Sequence, residues 1–265
     1  MPRPPPAMPQ PALRTTALDH LTLEDEASFR HVGLYRDLKD RLLRDNYQVR
    51  VLAGPPRWDH ALVLNLAFWD VRGGGDVLVD EVLPADVLCH MAWHHLAGQA
   101  LGEVGHPLSA PALLLGEAIA SAFDLYLIGR LLGHSPDSTF LETQVPAMAD
   151  AAESAGVEPD AFAALMESVR ADPEQAFEEL RQLLYTVLTE LLAATNADQA
   201  LQALTRHDGA RFGCLLHHYE LANWLLHARA APDNASADTA TQVDLAMRAA
   251  PVALDWLAGQ WLNQR

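Results

Sequence analysis

The sequence CHMAWHH, residues 89–95, stands in the middle of an apolar segment that runs from Ala85 to Leu101. His90 and His94 are four residues apart, so on an α-helix both imidazoles project from one face. Two imidazoles at this spacing are within reach of one metal ion, but two ligands alone do not hold zinc. The segment therefore predicts a helix that supplies part of a metal site.

A second apolar segment, GEAIASAFD at residues 116–124, supplies a third candidate ligand. It places the carboxylate of Glu117 among small residues, which would let this helix approach another closely. A carboxylate inside such a contact needs a partner, because an unpaired buried charge is very costly. A metal ion held by His90, His94 and Glu117 would be that partner.

These two segments resemble the gluzincin metallopeptidases, whose zinc site combines H-E-x-x-H on one helix with a glutamate on the next. The resemblance covers residues 47–132 and includes the order of a small sheet, a two-histidine helix and a glutamate helix. It implies a zincin-like fold in which His90, His94 and Glu117 bind zinc and a water takes the fourth place.

The chain departs from the gluzincin pattern around the ligands. Met91 stands where the family has the glutamate that takes a proton from the zinc-bound water, and a thioether cannot act as a base. Ser121 stands where the family commonly has an aspartate that orients a ligand histidine, with Asp124 one turn further along. Ser121 and Asp124 are thus the predicted supporting residues. His95 is a candidate substitute base or spare ligand, although an ordinary polar helix position is the simpler interpretation.

A second polar cluster, HHYE at residues 217–220, is followed by His227. On one helix, His217, Glu220 and His227 would lie near one face. No partner helix can be identified from the sequence. We therefore interpret these residues as polar positions that are solvated or meet a neighbouring element.

Around the two-histidine helix the sequence predicts an α+β fold that is mostly α-helical, with a small N-terminal β-sheet. A first amphipathic helix is expected over residues 24–45. Three strands are expected over residues 47–51, 61–69 and 77–79, in a small sheet with at least one hairpin and with a turn at the glycines 73–75. After Pro84 nearly everything is rich in Ala, Leu and Glu and predicts helices, several of which begin at a proline.

Three regions follow from these patterns. Residues 1–20 are expected to form a disordered or polyproline-like tail, because six of the 17 prolines fall within the first eleven positions and no signal-peptide core is present. Residues 21–135 form the zincin-like region. Residues 136–265 form a helical region that we expect to pack with it as one unit.

Composition narrows the range of functions. Hydrophobic residues are 50% of the 265, which excludes a wholly disordered chain. Eighteen Lys and Arg against 35 Asp and Glu give a net charge of -17, which repels nucleic acid and anionic lipid. No uninterrupted apolar run reaches the length of a membrane span, so we expect no membrane. The two cysteines are too few for a disulfide framework, which favours the cytoplasm.

The favoured function is a zincin-like protein with a degenerate metallopeptidase motif, which binds zinc without being proteolytic and acts as a binding or regulatory module for a protein or peptide partner. One alternative is a zinc-dependent hydrolase in which His95 or a carboxylate from the helical region replaces the base. Another is a metal-free helical interaction protein whose histidines are incidental. A di-metal carboxylate protein is disfavoured, because paired Glu-x-x-His motifs are missing from the sequence.

Overall fold

A computed structural model describes residues 13–54, 77–102, 106–135 and 137–263 of the chain. Within these ranges the protein is a mostly helical α+β fold with a small N-terminal sheet, so the predicted fold class is confirmed. The described strands are β1 (Leu13–Ala17), β2 (Thr22–Glu24), β3 (Gln48–Leu52), β4 (Val77–Leu78) and β5 (Val82–Pro84).

The strands form two small sheets. In the first, β3 lies between β1 and β4, antiparallel to β1 and parallel to β4. In the second, β2 pairs with β5 in parallel. The strands predicted over residues 47–51 and 77–79 are confirmed as β3 and β4. The strand predicted over 61–69 and the turn at 73–75 lie outside the described residues.

The tail predicted for residues 1–20 is wrong at its C-terminal end. Residues Leu13–Ala17 form β1, and the next three residues form a turn of 3-10 helix. The proline-rich composition ends at Pro11, whereas β1 contains two threonines, whose branched side chains favour strands. Thr16 is buried and pairs in register with Val49 of β3, so long-range pairing decides the structure here.

The single helix predicted over residues 24–45 is also wrong, because two helices occupy this segment. They are α1 (Glu26–Phe29) and α2 (Gly33–Arg44). Val32 between them has an extended backbone, with φ -85° and ψ 107°, and a fully buried side chain. The break therefore lets both Phe29 and Val32 enter the core.

Helices make up the rest of the described chain. They are α3 (Ala85–Leu101), α4 (Ala110–Leu131), α5 (Thr139–Ser154), α6 (Pro159–Ala171), α7 (Pro173–Ala193), α8 (Ala197–Thr205), a 3-10 helix (Gly213–His218), α9 (Leu221–Ala228), α10 (Ser236–Ala249), α11 (Ala253–Leu257) and a π-helical turn (Ala258–Leu262). A proline lies in the first turn of α4, α6 and α7. Its fixed φ and missing N–H suit that position.

Helix α4 is the centre of the core and is apolar on all sides. It packs against α3, α6, α7, α9 and α10, and such all-round hydrophobicity is typical of a buried helix. Contrary to the sequence expectation, α4 is long and apolar enough to span a membrane by length and composition, with a mean hydropathy of 1.6. However, 89% of that apolar window is buried inside the protein.

Two glycines let α4 approach its neighbours. A Cβ atom at Gly116 would lie 3.2 Å from the Cβ of Ala97 on α3. A Cβ atom at Gly129 would lie 2.7 Å from the carbonyl oxygen of Val169 and 3.0 Å from Pro173 Cβ. The close approach of α3 to α4 at Gly116 brings the next residue, Glu117, beside the two-histidine face of α3.

Candidate metal centre

The predicted metal ligands converge between α3 and α4. His90, His94 and Glu117 each offer one ligand atom, and these atoms lie within 4.8 Å of one another. His94 Nε2 is 3.1 Å from Glu117 Oε2, and His90 Nε2 is 3.6 Å from Glu117 Oε1. Ligand atoms about 2.0–2.1 Å from a tetrahedral zinc are about 3.3 Å apart. This group could therefore hold a metal ion.

The two predicted supporting residues both contact the ligands. Ser121, one turn after Glu117 on α4, donates from Oγ to Glu117 Oε1 at 3.3 Å. Asp124 Oδ2 is 3.0 Å from His90 Nδ1. A carboxylate on Nδ1 keeps the proton on that nitrogen and leaves Nε2 as the ligand atom, and Nε2 is the atom that faces Glu117.

The histidines and carboxylates of the candidate centre compensate one another's charges. Glu117 is only 3% exposed. Burial opposes its ionisation, but the charge of His94 and hydrogen bonds from both imidazoles outweigh burial and hold the pKa of Glu117 below its usual value. Burial also lowers the pKa of His90, yet Asp124 and Glu117 more than offset it and raise that pKa. A metal ion beside a neutral His90 would provide the same compensation.

A cavity of about 280 Å³ adjoins the metal centre. Asp86 and His90 border it from α3, and Glu117 and Asp124 border it from α4. The remaining walls come from α5, from the end of the 3-10 helix and from α9, including Tyr219 and other polar residues. An ion held by His90 and Glu117 would therefore be accessible from this cavity.

The second polar cluster lies at the same cavity, a placement that the sequence did not predict. The 3-10 helix ends at His218, and α9 begins after Glu220, so the cluster does not form the single helical face that was predicted. His218, Tyr219, Glu220 and His227 line the cavity, while His217 is exposed and is not among its described lining residues. Lining a cavity is compatible with the interpretation of Glu220 and His227 as positions that are solvated or meet a neighbouring element, so only the single helical face is corrected.

Asp86 is a further cavity residue, which was not among the residues predicted from sequence. It lies one turn before His90, so Asp86, His90 and His94 share one face of α3. Burial, followed by the charge of Asp124, raises the pKa of Asp86 to about 7. Extending the four-residue spacing of the histidines one turn toward the N-terminus would have found it.

Met91 and His95 both lie away from the described walls of the cavity. Met91 is fully buried in the hydrophobic core. His95 Nε2 is 2.7 Å from Asp45 Oδ2, and the His95 ring meets the ring of Tyr47 edge to face at 4.8 Å. The side chain of His95 thus joins α3 to the end of α2, and its role as a substitute base or spare ligand stays a prediction from sequence.

The chain was compared with protein families, curated proteins and solved structures, and these comparisons found no relative. No protein-family model, no curated protein and no solved structure matches the chain. The gluzincin resemblance therefore stays a prediction from sequence.

Proposed function

We propose that the protein is a zincin-like metal-binding protein that holds zinc through His90, His94 and Glu117. The observation that carries this proposal is the convergence of two imidazole nitrogens and one carboxylate from two helices. Two histidines and one glutamate are a donor set found in zinc sites that keep a fourth position open. Imidazole and carboxylate ligands at these separations suit zinc without a thiolate.

The supporting residues have defined roles in this proposal. Asp124 fixes the ring of His90 through Nδ1, and Ser121 holds one oxygen of Glu117. When bound, the zinc ion would polarise a ligand oxygen and lower the pKa of a bound water. Because Met91 cannot accept a proton, we propose that the site serves binding or regulation rather than the peptidase reaction of the gluzincins.

One observation favours a second candidate, a zinc-dependent hydrolase with a different base. Glu220, a carboxylate from the C-terminal helical region, lines the cavity beside His90 and Glu117. A carboxylate in this position could act as a general base through a water. In that case the zinc-loaded protein would hydrolyse a small ester or amide, and Glu220→Gln would remove the activity without removing the zinc.

Metal analysis after dialysis against zinc tests the main proposal. We expect one zinc per chain in the natural protein and little zinc in His94→Ala and Glu117→Gln, because each variant removes one of three ligands. His95→Ala is the matched control: it removes the neighbouring imidazole, which contacts Asp45 instead, and it should retain zinc. A natural protein without stoichiometric metal would overturn the proposal and favour the metal-free helical interaction protein.

A further inference from the structure

The cavity beside the metal centre has an excess of negative charge. Four carboxylates border it, namely Asp86, Glu117, Asp124 and Glu220, and its described lining residues include neither lysine nor arginine. When all four carboxylates are ionised, a divalent ion at the candidate metal centre would offset only two of their charges. The cavity would therefore still attract a second positively charged group.

Two buried polar atoms at this cavity have no hydrogen-bond partner among the described residues. They are Asp124 Oδ1 and the hydroxyl oxygen of Tyr219. An ionised carboxylate only accepts hydrogen bonds, so Asp124 Oδ1 requires a donor. A buried polar atom left without a partner costs free energy, and such atoms in native proteins call for a specific explanation. A ligand with N–H donors would satisfy both atoms.

Asp86 adds a third acceptor on the same side of the cavity. It lies one helical turn before His90, whose Nδ1 contacts Asp124 Oδ2, and residues one turn apart on a helix have Cβ atoms about 5–6 Å apart. Asp86 on α3 and Asp124 on α4 border the same cavity, and burial, followed by the charge of Asp124, raises the pKa of Asp86. Two carboxylates that border one cavity are stabilised by a cation that both can contact.

We propose that the cavity binds a ligand with a primary ammonium group, which Asp86, Asp124 and Tyr219 hold while another polar group of the ligand reaches the metal centre. An ammonium has three N–H donors for these three acceptors. The ring of Trp224, whose centroid is 6.0 Å from that of Tyr219, adds an aromatic wall of the kind that attracts cations. The inference rests on the proposed zinc site.

Matched pairs of hydroxamates test this inference, because a hydroxamate anchors one end of each compound on zinc. One pair is 6-aminohexanoyl and hexanoyl hydroxamate, and the other is glycyl and acetyl hydroxamate. Titration calorimetry on the zinc-loaded protein should show the ammonium compound of at least one pair binding about tenfold more tightly than its partner. A preference within the first pair would indicate a ligand with a side-chain or polyamine ammonium. A preference within the second pair would indicate a ligand with an α-ammonium.

Asp86→Asn should remove this preference while leaving the affinity for hexanoyl hydroxamate unchanged. The matched control is Asp150→Asn, the same change at an exposed position on α5, which should keep the preference. Tyr219→Phe should weaken it. Equal affinities within both pairs would overturn the inference. So would a second bound zinc that Asp86→Asn removes, since a metal ion would then occupy the ammonium site.

Failure of the zinc site is recognised separately, by the absence of zinc after dialysis. The ammonium site is then judged on the zinc-free protein by titration with n-hexylammonium chloride and with n-hexanol. Binding of the ammonium that depends on Asp86 would support the inference without a metal ion. Equal or undetectable binding of both compounds would overturn it.

Discussion

Met91 limits how far the gluzincin resemblance extends, because its thioether cannot act as a base. Its burial is a second, separate limit. Glutamate matches methionine in length, so on size alone Met91→Glu would be accommodated. However, the side chain is fully buried in the core. A carboxylate placed there has no described partner, and an uncompensated buried charge costs about 3–5 kcal/mol.

We therefore predict that Met91→Glu loses several kcal/mol of unfolding free energy and gains no hydrolytic activity. Met91→Leu, which conserves volume and polarity, should cost less than about 1.5 kcal/mol. Urea unfolding at pH 7 of both variants measures the difference. A fully stable Met91→Glu that hydrolyses peptides would show that position 91 does face the metal centre.

Asp45 gives a pH-dependent prediction that also checks the structural role of His95. Burial opposes ionisation of Asp45, but hydrogen bonds from Arg41, His95 and Gln99 outweigh it and lower its pKa to about 2. A folded pKa below the unfolded value means that the charged form contributes stability above about pH 4. This contribution is lost as the pH falls toward 2.

Asp45→Asn should therefore be less stable than the natural protein at pH 7, and the difference should shrink between pH 4 and pH 2. Urea unfolding at several pH values measures it. Asp150→Asn, at an exposed position, should show no such convergence. A difference between Asp45→Asn and the natural protein that is constant with pH would mean that the carboxylate charge is not what His95 and Arg41 stabilise.

The contact of α4 with α6 and α7 depends on Gly129 having no side chain. An added Cβ would lie 2.7 Å from a backbone oxygen at Val169, and backbone cannot move aside as a side-chain end can. We predict that Gly129→Ala is destabilising by about 1–3 kcal/mol, the usual cost of overpacking a core. Thermal unfolding followed by circular dichroism measures the shift.

Gly98→Ala is the matched control for this prediction. Gly98 lies in the interior of α3, and an added Cβ there would meet nothing within 4 Å. Because alanine is the better helix former by about 0.5–1 kcal/mol, Gly98→Ala should be stabilising. The two alanines should therefore act in opposite directions, and the same sign for both would contradict the close helix contact at Gly129.

The helices could be predicted from sequence where local signals agree. Helix α3 begins and ends at the predicted residues 85 and 101. The apolar run over residues 111–132 predicts the second helix, and α4 is shifted from it by only one residue at each end. The predictions failed where the local structure depends on a segment distant in sequence. Strand β1 is an example, because its hydrogen-bond ladder forms with β3. The break before α2 also depends on burial of Val32, which helical periodicity does not register.

The same distinction explains what could be predicted of the candidate site. His90 and His94 share a helix face by spacing alone, and Glu117 stood out as an acid in an apolar segment. Tyr219 lies more than 90 residues beyond Asp124 in sequence and reaches the cavity only because α4 contacts α9. No local sequence pattern predicts such a contact, so the cavity beside the candidate metal centre is formed by tertiary packing alone.

The size of the cavity formed by the packed helices bears on whether the protein is a general peptidase. The cavity has a volume of about 280 Å³, while pockets for drug-sized ligands enclose about 300–1,000 Å³. A space of this size, as the described residues form it, suits one small group or side chain. It offers little room for several consecutive residues of an extended substrate.

We therefore predict that the zinc-loaded protein shows no appreciable hydrolysis of unfolded casein. A positioned general base adds on the order of 10²–10⁴-fold to the rate of such a reaction, and Met91 supplies none. Release of fluorescent peptides from labelled casein measures the activity, with His90→Ala as the metal-site control. Zinc-dependent cleavage that disappears in His90→Ala would contradict the prediction. Because Met91 is buried, the base would then have to come from the cavity wall, where Glu220 is the candidate.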